Sequence, residues 1–158
     1  MAAAATLDRF EARTHDALAG VTRVCRAVRD AGAHGQLLVS EVLTSFLLRR
    51  LLGLLTHQWL VTLSSEDAEV AARHLGELYQ KLGQLIQLGD MKGLSTARVH
   101  RPFFRQAMNV RDQVGDLLES IHLGLNDELR QLIAECMTGV KDRRDRPDWR
   151  SSLAAMRD

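Results

Sequence analysis

The feature that most restricts the fold of this chain is the absence of proline from residues 1–101 of its 158 residues. Leucine and alanine dominate that stretch, and its apolar residues recur at steps of three and four rather than in alternation. Because such steps place side chains on one side of an α-helix, they predict helices and no strands. The length suits one domain with a sizeable core. We therefore expect an all-α bundle of four to five helices, occupying residues 6–140.

The first predicted helix covers residues 7–31, with Thr6 as its N-cap and Asp8 in its first turn. Its apolar side chains form a seam with heptad-like spacing: Leu7, Phe10, Thr14, Ala17, Val21, Val24, Val28 and Ala31. A seam of this period favours packing at a shallow angle against other helices. Cys25 widens the seam, and Cys136 lies on another apolar helical face, so we expect both to be buried free thiols.

The second predicted helix, over residues 36–63, is apolar around nearly its whole circumference. Glu41, Arg49 and Arg50 interrupt it. Since each charge at the centre of a membrane helix costs about 2.5–3.5 kcal/mol, a membrane span is disfavoured. Such a helix is then either central in the bundle or half covered by another chain. The central position is the preferred interpretation, which predicts a bundle built around a hydrophobic second helix.

Signals for helix ends divide the remainder of the chain. Ser64 is a predicted N-cap for a third helix that runs to about residue 88, and a loop follows over residues 91–100. Pro102 suits the first position of a fourth helix, and Asn126 can cap a fifth that ends near residue 140. Residues 141–158 are a charged linker and a short amphipathic C-terminal helix that contains Trp149.

Charge and targeting signals exclude several functions. Lys and Arg number 21 and Asp and Glu 20, so the formal net charge of +1 provides no general attraction to nucleic acid or to an acidic membrane. Nucleic-acid binding would need either more excess positive charge or stacking aromatic residues beside the arginines. Asp8 and Glu11 lie too close to the start for a signal peptide, which predicts a cytoplasmic location.

No set of residues converges on catalysis or on metal binding. Glu119 and His122 match one Glu-x-x-His motif of a di-iron bundle, but the required second copy is missing. His74 has Glu77 and Leu78 where a phosphotransfer histidine needs a basic and a small residue. We therefore expect no enzyme, no metal and no cofactor.

The leading hypothesis is a non-enzymatic protein–protein interaction module, either an adaptor or a small complex subunit. Several predicted helices carry long apolar seams, and apolar surface beyond what one chain can bury marks partner sites. Self-association is the simplest arrangement, although the partner can equally be another protein. The predicted interface residues, chosen as leucine and aromatic anchors of such a contact, are Leu51, Leu54, Leu55, Trp59, Leu60 and Trp149.

The alternative hypothesis is a carrier or sensor that binds a small apolar or anionic ligand between its helices. Arg98, Arg101 and Arg105 gather around the start of the fourth helix, where guanidinium groups and the helix dipole favour an anion. Several glycines lie inside predicted helices: Gly20, Gly53, Gly76, Gly83 and Gly115. Each costs about 1 kcal/mol relative to alanine, which close helix packing or a cavity would explain.

Overall fold

The computed structural model describes residues 2–30 and 34–138, which form five helices and no strand. The helices are α1 (Ala2–Arg29), α2 (His34–Leu52), α3 (His57–Leu60), α4 (Ser65–Met91) and α5 (Arg101–Thr138). The expected all-α bundle is therefore confirmed. None of the described helices is both long enough and apolar enough to cross a membrane.

The bundle is a ring of four long helices. The helix α1 packs against α2 and α4, α4 packs against α5, and a looser contact between α2 and α5 closes the ring. The predicted seam of α1 is confirmed, because every described member from Leu7 to Val28 is buried. The hydroxyl of Thr14, inside that seam, donates a hydrogen bond to the carbonyl of Phe10 at 2.8 Å. The helix begins at Ala2, so Thr6 lies within it and is not its N-cap.

The second predicted helix is divided in the structure. The helix α2 ends at Leu52, a turn follows at Gly53, and α3 is a single turn. The side chain of Arg13 donates to the carbonyl of Arg50 at 3.0 Å, which satisfies one of the free carbonyls at the end of α2. A continuous helix over residues 36–63 is therefore wrong.

The central position predicted for the second helix is also wrong, because α2 buries only one side. Its inward positions are Leu37, Glu41, Thr44, Leu48 and Leu51, all buried. The outward positions are occupied mainly by apolar residues, and the two polar side chains Glu41 and Thr44 face the interior. In a ring of four helices each helix supplies one face to the core, so an all-round apolar helix leaves apolar surface outside.

The N-cap of α4 is confirmed, since the side chain of Ser64 accepts a hydrogen bond from the backbone N–H of Asp67 at 3.1 Å. The predicted boundary near Asn126 is wrong, because α5 is one helix of 38 residues. Packing on α4 carries it past that point, where the hydroxyl of Ser65 donates to Glu128 at 2.6 Å. The predicted tail over residues 141–158 lies outside the described residues.

Close packing explains some of the helical glycines. A β-carbon on Gly20 would lie 2.8 Å from the hydroxyl oxygen of Thr44, so this glycine lets α1 and α2 approach. A β-carbon on Gly115 would lie 3.0 Å from the ring of Tyr79. Gly89, which the sequence did not single out, lies directly against the ring of Phe104.

Candidate partner-binding surface

An apolar stripe runs along the outside of α2. Val39 is 60 % exposed, Val42 70 %, Leu43 50 % and Phe46 55 %, and we call these four residues the α2 face. They recur at steps of three and four, which makes them neighbours on one side of the helix. At the end of the stripe the guanidinium carbon of Arg50 lies 5.8 Å from the centre of the Phe46 ring.

Three inward contacts determine which side of α2 faces outward. Gly20 of α1 receives Thr44, as described above. The hydroxyl of Ser45 donates to the side-chain oxygen of Gln106 on α5 at 2.6 Å, and the Gln106 amide donates back to the carbonyl of Ser45 at 3.1 Å. The third contact joins Glu41 to His100. Of the three α2 residues, Glu41 and Thr44 are buried and Ser45 is half-buried on the side of α2 that meets α5.

The Glu41–His100 pair ties α2 to the turn that precedes α5. The Nδ1 of His100 lies 2.6 Å and 3.0 Å from the two carboxylate oxygens of Glu41. The two residues are only 5 % and 7 % exposed. Burial raises the pKa of the Glu41 carboxyl, while the hydrogen bond and the charge of His100 act in the opposite direction. Since removing charges from water is expensive, the pair fixes position more than it adds stability.

A groove of about 700 Å³ lies between α2 and α5, where the ring of helices is loosest. Its lining includes six aliphatic or aromatic residues: Leu38, Val42, Leu52, Val99, Phe103 and Val110. Val42 belongs to the α2 face as well, so the groove and the face are continuous. Ser45 and Gln106, which bridge the two helices, also line the groove.

The arginines predicted to bind anions are brought together. Arg98, Arg101 and Arg105 are exposed and line one shallow depression of about 560 Å³. None of these three forms an ion pair with a residue in the described part of the chain. Pro102 and Gln106 line both this depression and the groove, so the arginine cluster adjoins the groove.

The interface residues predicted from the sequence occupy other places. Leu51 and Leu60 are fully buried, and Trp59 is 7 % exposed with its ring 4.8 Å from that of Phe10. These three belong to the core of the single chain, so their assignment to a partner interface is wrong. The break at Gly53 is the physical reason, because the chain beyond it brings Trp59 of α3 against Phe10 of α1. Leu54 and Leu55 are half-buried against the core, and Trp149 lies outside the described residues.

The remaining candidates do not assemble into a chemical site. Glu119 and His122 are both exposed on α5, and no group of three or more metal-ligand side chains occurs among the described residues. His74 is half-buried with its ring edge against Phe10. Cys25 is a buried free thiol, and burial raises its pKa, which lowers its reactivity. The side chain of Cys136 lies outside the described residues.

No protein-family model matches the chain, and neither a curated protein nor a solved structure matches it significantly. The α2 face, the groove and the arginine cluster are continuous, and together we call them the α2–α5 surface. The sequence predicted its arginines but not its apolar part. Because α2 has apolar residues on every side, its sequence does not show which side is exposed. The one sequence signal for its orientation is Glu41, the single acidic residue in the apolar run.

A second group of exposed apolar residues lies at the end of α5 and consists of Leu129, Leu132 and Ile133. Residues 139–158 follow directly along the chain and lie outside the described residues. The α2 face adjoins the groove and, through it, the arginine cluster, whereas the α5 end leads directly into residues 139–158. The α2–α5 surface is therefore the better candidate for a partner site.

Proposed function

We propose that this protein is a non-enzymatic helical interaction module that binds a protein partner through the α2–α5 surface. The observation that supports the proposal is the α2 face, on which four neighbouring apolar residues are each half exposed or more. Contiguous exposed apolar patches mark interaction sites on soluble domains. The non-enzymatic part rests on the sequence, in which no catalytic motif converges, and a cytoplasmic location remains a prediction.

The exposed fractions of the α2-face side chains determine how much apolar burial contributes to the free energy of binding. The four side chains of the α2 face expose the equivalent of somewhat more than two complete residues. Burying that surface stabilises a complex by about 3.5–7 kcal/mol. Association itself costs about 4–15 kcal/mol in lost freedom of motion. A stable complex therefore needs the groove and its polar rim in addition to the α2 face.

A carrier of small ligands is the second candidate, and the size of the groove favours it. Its volume of about 700 Å³ falls within the range of about 300–1,000 Å³ that is usual for ligand sites. Two features favour a protein instead: the groove opens onto the α2 face, and polar side chains bridge its floor. A screen of small ligands by thermal shift distinguishes the two candidates.

The experiment that tests the proposal compares the proteins captured by the wild-type chain with those captured by surface variants. Phe46→Glu places a charge on the α2 face without touching the core, since Phe46 is 55 % exposed. Leu123→Glu is the matched control, because Leu123 is 47 % exposed on α5 and lines neither the groove nor the arginine cluster. Circular dichroism of both variants checks that the helices are retained.

We expect the wild type and Leu123→Glu to capture the same protein in equal amounts. Phe46→Glu should capture at least tenfold less of it, because losing an interface anchor costs about 2 kcal/mol of binding free energy. The same difference should appear with the purified partner. Light scattering during size exclusion shows whether that partner is a second copy. Equal recovery of every protein by all three chains would contradict the proposal.

A further inference from the structure

The charged residues that line the groove and the arginine cluster are all arginines apart from the buried Glu41, while Arg23, Arg26 and Asp30 lie beside Val39 of the α2 face. Arg49 lines the groove on the α2 side, and the arginine cluster lies on the α5 side. Among the described residues that line either depression, the single carboxylate is that of Glu41, which is buried against His100. The rim is therefore strongly cationic, although the whole chain has a formal net charge of only +1.

From this arrangement we infer that the occupant of the α2–α5 surface is an amphipathic helix of another protein, with Asp or Glu residues on both sides of its apolar stripe. This inference rests on the proposed function and names its partner by chemistry. The apolar stripe lies in the groove and on the α2 face, while the carboxylates meet arginines on both rims. Arginine suits this role because its planar fork binds a carboxylate through two hydrogen bonds.

The shape of the surface agrees with a helix. Two helices form the walls of the groove, and a third helix fits such a groove through residues spaced by three and four. The α2 face extends from Val39 to Phe46, which is about 10 Å along the helix axis at 1.5 Å per residue. A partner helix of about three to four turns is long enough to span this face.

A two-fold pair in which α2 packs on α2 of a second copy fits the surface less well. The helix α2 carries Arg49 and Arg50 near its C-terminal end, and its one acidic residue is the buried Glu41. In a parallel two-fold pair of α2 helices, these arginines meet their own copies. In an antiparallel pair they meet the positive end of the neighbouring helix dipole. Both arrangements bring like charges together, which disfavours a complex.

A membrane or a nucleic acid would contact only part of the α2–α5 surface. An acidic membrane is flat, and it would leave the concave floor of the groove, with its Ser45–Gln106 bridge, without contacts. A phosphate backbone would bind the arginines but would leave the α2 face exposed. An acidic amphipathic helix covers the apolar residues and neutralises the arginines at the same time.

A display library of helical peptides tests the inference with the full-length chain. Each peptide has about 18 residues, or about 27 Å of helix, with a fixed leucine stripe and with Glu, Lys, Gln or Ser allowed at the flanking positions. The bait is the wild type or Arg49→Glu/Arg101→Glu/Arg105→Glu. The control bait, Arg9→Glu/Arg73→Glu/Arg130→Glu, has the same net charge but reverses exposed arginines that line neither depression.

We expect the wild type and the control bait to enrich Glu over Lys at the flanking positions, and the first triple variant to reverse that preference. A synthetic peptide of the selected sequence should bind the first triple variant about tenfold more weakly than the wild type, since three rim ion pairs are lost. Its binding to the wild type should weaken as salt is raised, because exposed charges are screened.

Three results would overturn the inference: equal selection of Glu and Lys, no enriched helix, or a homodimer that Phe46→Glu dissociates. Binding to vesicles containing phosphatidylglycerol, or to duplex RNA, would also overturn it if Phe46→Glu and the first triple variant both abolished that binding. The proposed function has a separate readout. If the selection fails while Phe46→Glu still loses a captured protein, only the acidic helix is refuted, whereas equal capture by all chains refutes the interaction module.

Discussion

Replacing His100 with alanine removes the buried partner of a buried carboxylate. Glu41 is 5 % exposed, and its carboxylate oxygens lie 2.6 Å and 3.0 Å from the ring nitrogen that would be lost. Breaking a buried pair from one side costs about 3–5 kcal/mol, because a charge remains without compensation. We expect His100→Ala to lower the free energy of unfolding by that amount at neutral pH. Glu41→Gln/His100→Ala should recover part of it, since no charge remains buried.

The loss should depend on pH in a defined direction. Burial raises the pKa of Glu41 in the folded protein, and His100 opposes that rise, so the variant raises the pKa further. The folded state then holds the Glu41 proton at a pH where the unfolded state has released it. Between the two pKa values the free energy of unfolding falls as pH increases. The contribution of Glu41 is therefore retained below its unfolded pKa of about 4.3 and lost as pH rises through the raised folded pKa.

Urea denaturation followed by circular dichroism, at a series of pH values from acid to neutral, measures this effect. His122→Ala is the control, because His122 is exposed on α5 and forms no ion pair within the described residues. The control should stay within about 0.5 kcal/mol of the wild type at every pH. If His100→Ala is equally destabilising at acid and neutral pH, or within 1 kcal/mol of the control, the buried hydrogen bond between Glu41 and His100 does not hold α2 in the way described.

Four further substitutions test the helix packing, the N-cap of α4 and the surface position of Phe46. Gly89→Ala places a β-carbon against the buried ring of Phe104 and should destabilise the protein by about 1–3 kcal/mol. Gly76 has open space around it, so Gly76→Ala should stabilise the protein by up to about 1 kcal/mol. Thermal melts in which the two variants have the same stability would contradict the close approach of Gly89 to Phe104. Ser64→Ala removes the N-cap of α4 and should cost about 1 kcal/mol in urea denaturation, with no change meaning that the cap is dispensable. Phe46→Glu should leave the unfolding free energy within about 0.5 kcal/mol of the wild type, and a larger loss would place Phe46 in the core.

The sequence predicts those structural features that depend only on residues close together along the chain. The seam of α1 is readable because its apolar residues occupy one side of a helix and polar residues the other, so only one orientation buries it well. The start of α4 is readable because the Ser64 cap needs only the backbone three residues further on. The continuity of α5 was not readable, since Asn126 provides a cap signal that packing on α4 overrides.

The sequence by itself determined the all-α class, the inward face of α1 and the position of the arginine cluster at the start of α5. Only the tertiary structure decided the rotation of α2, and with it the surface proposed to bind a partner. A helix with apolar residues on every side has no intrinsic preference for which stripe is buried. The close approach of Thr44 to Gly20 and the pairing of Glu41 with His100 make that choice, and they join residues far apart in sequence.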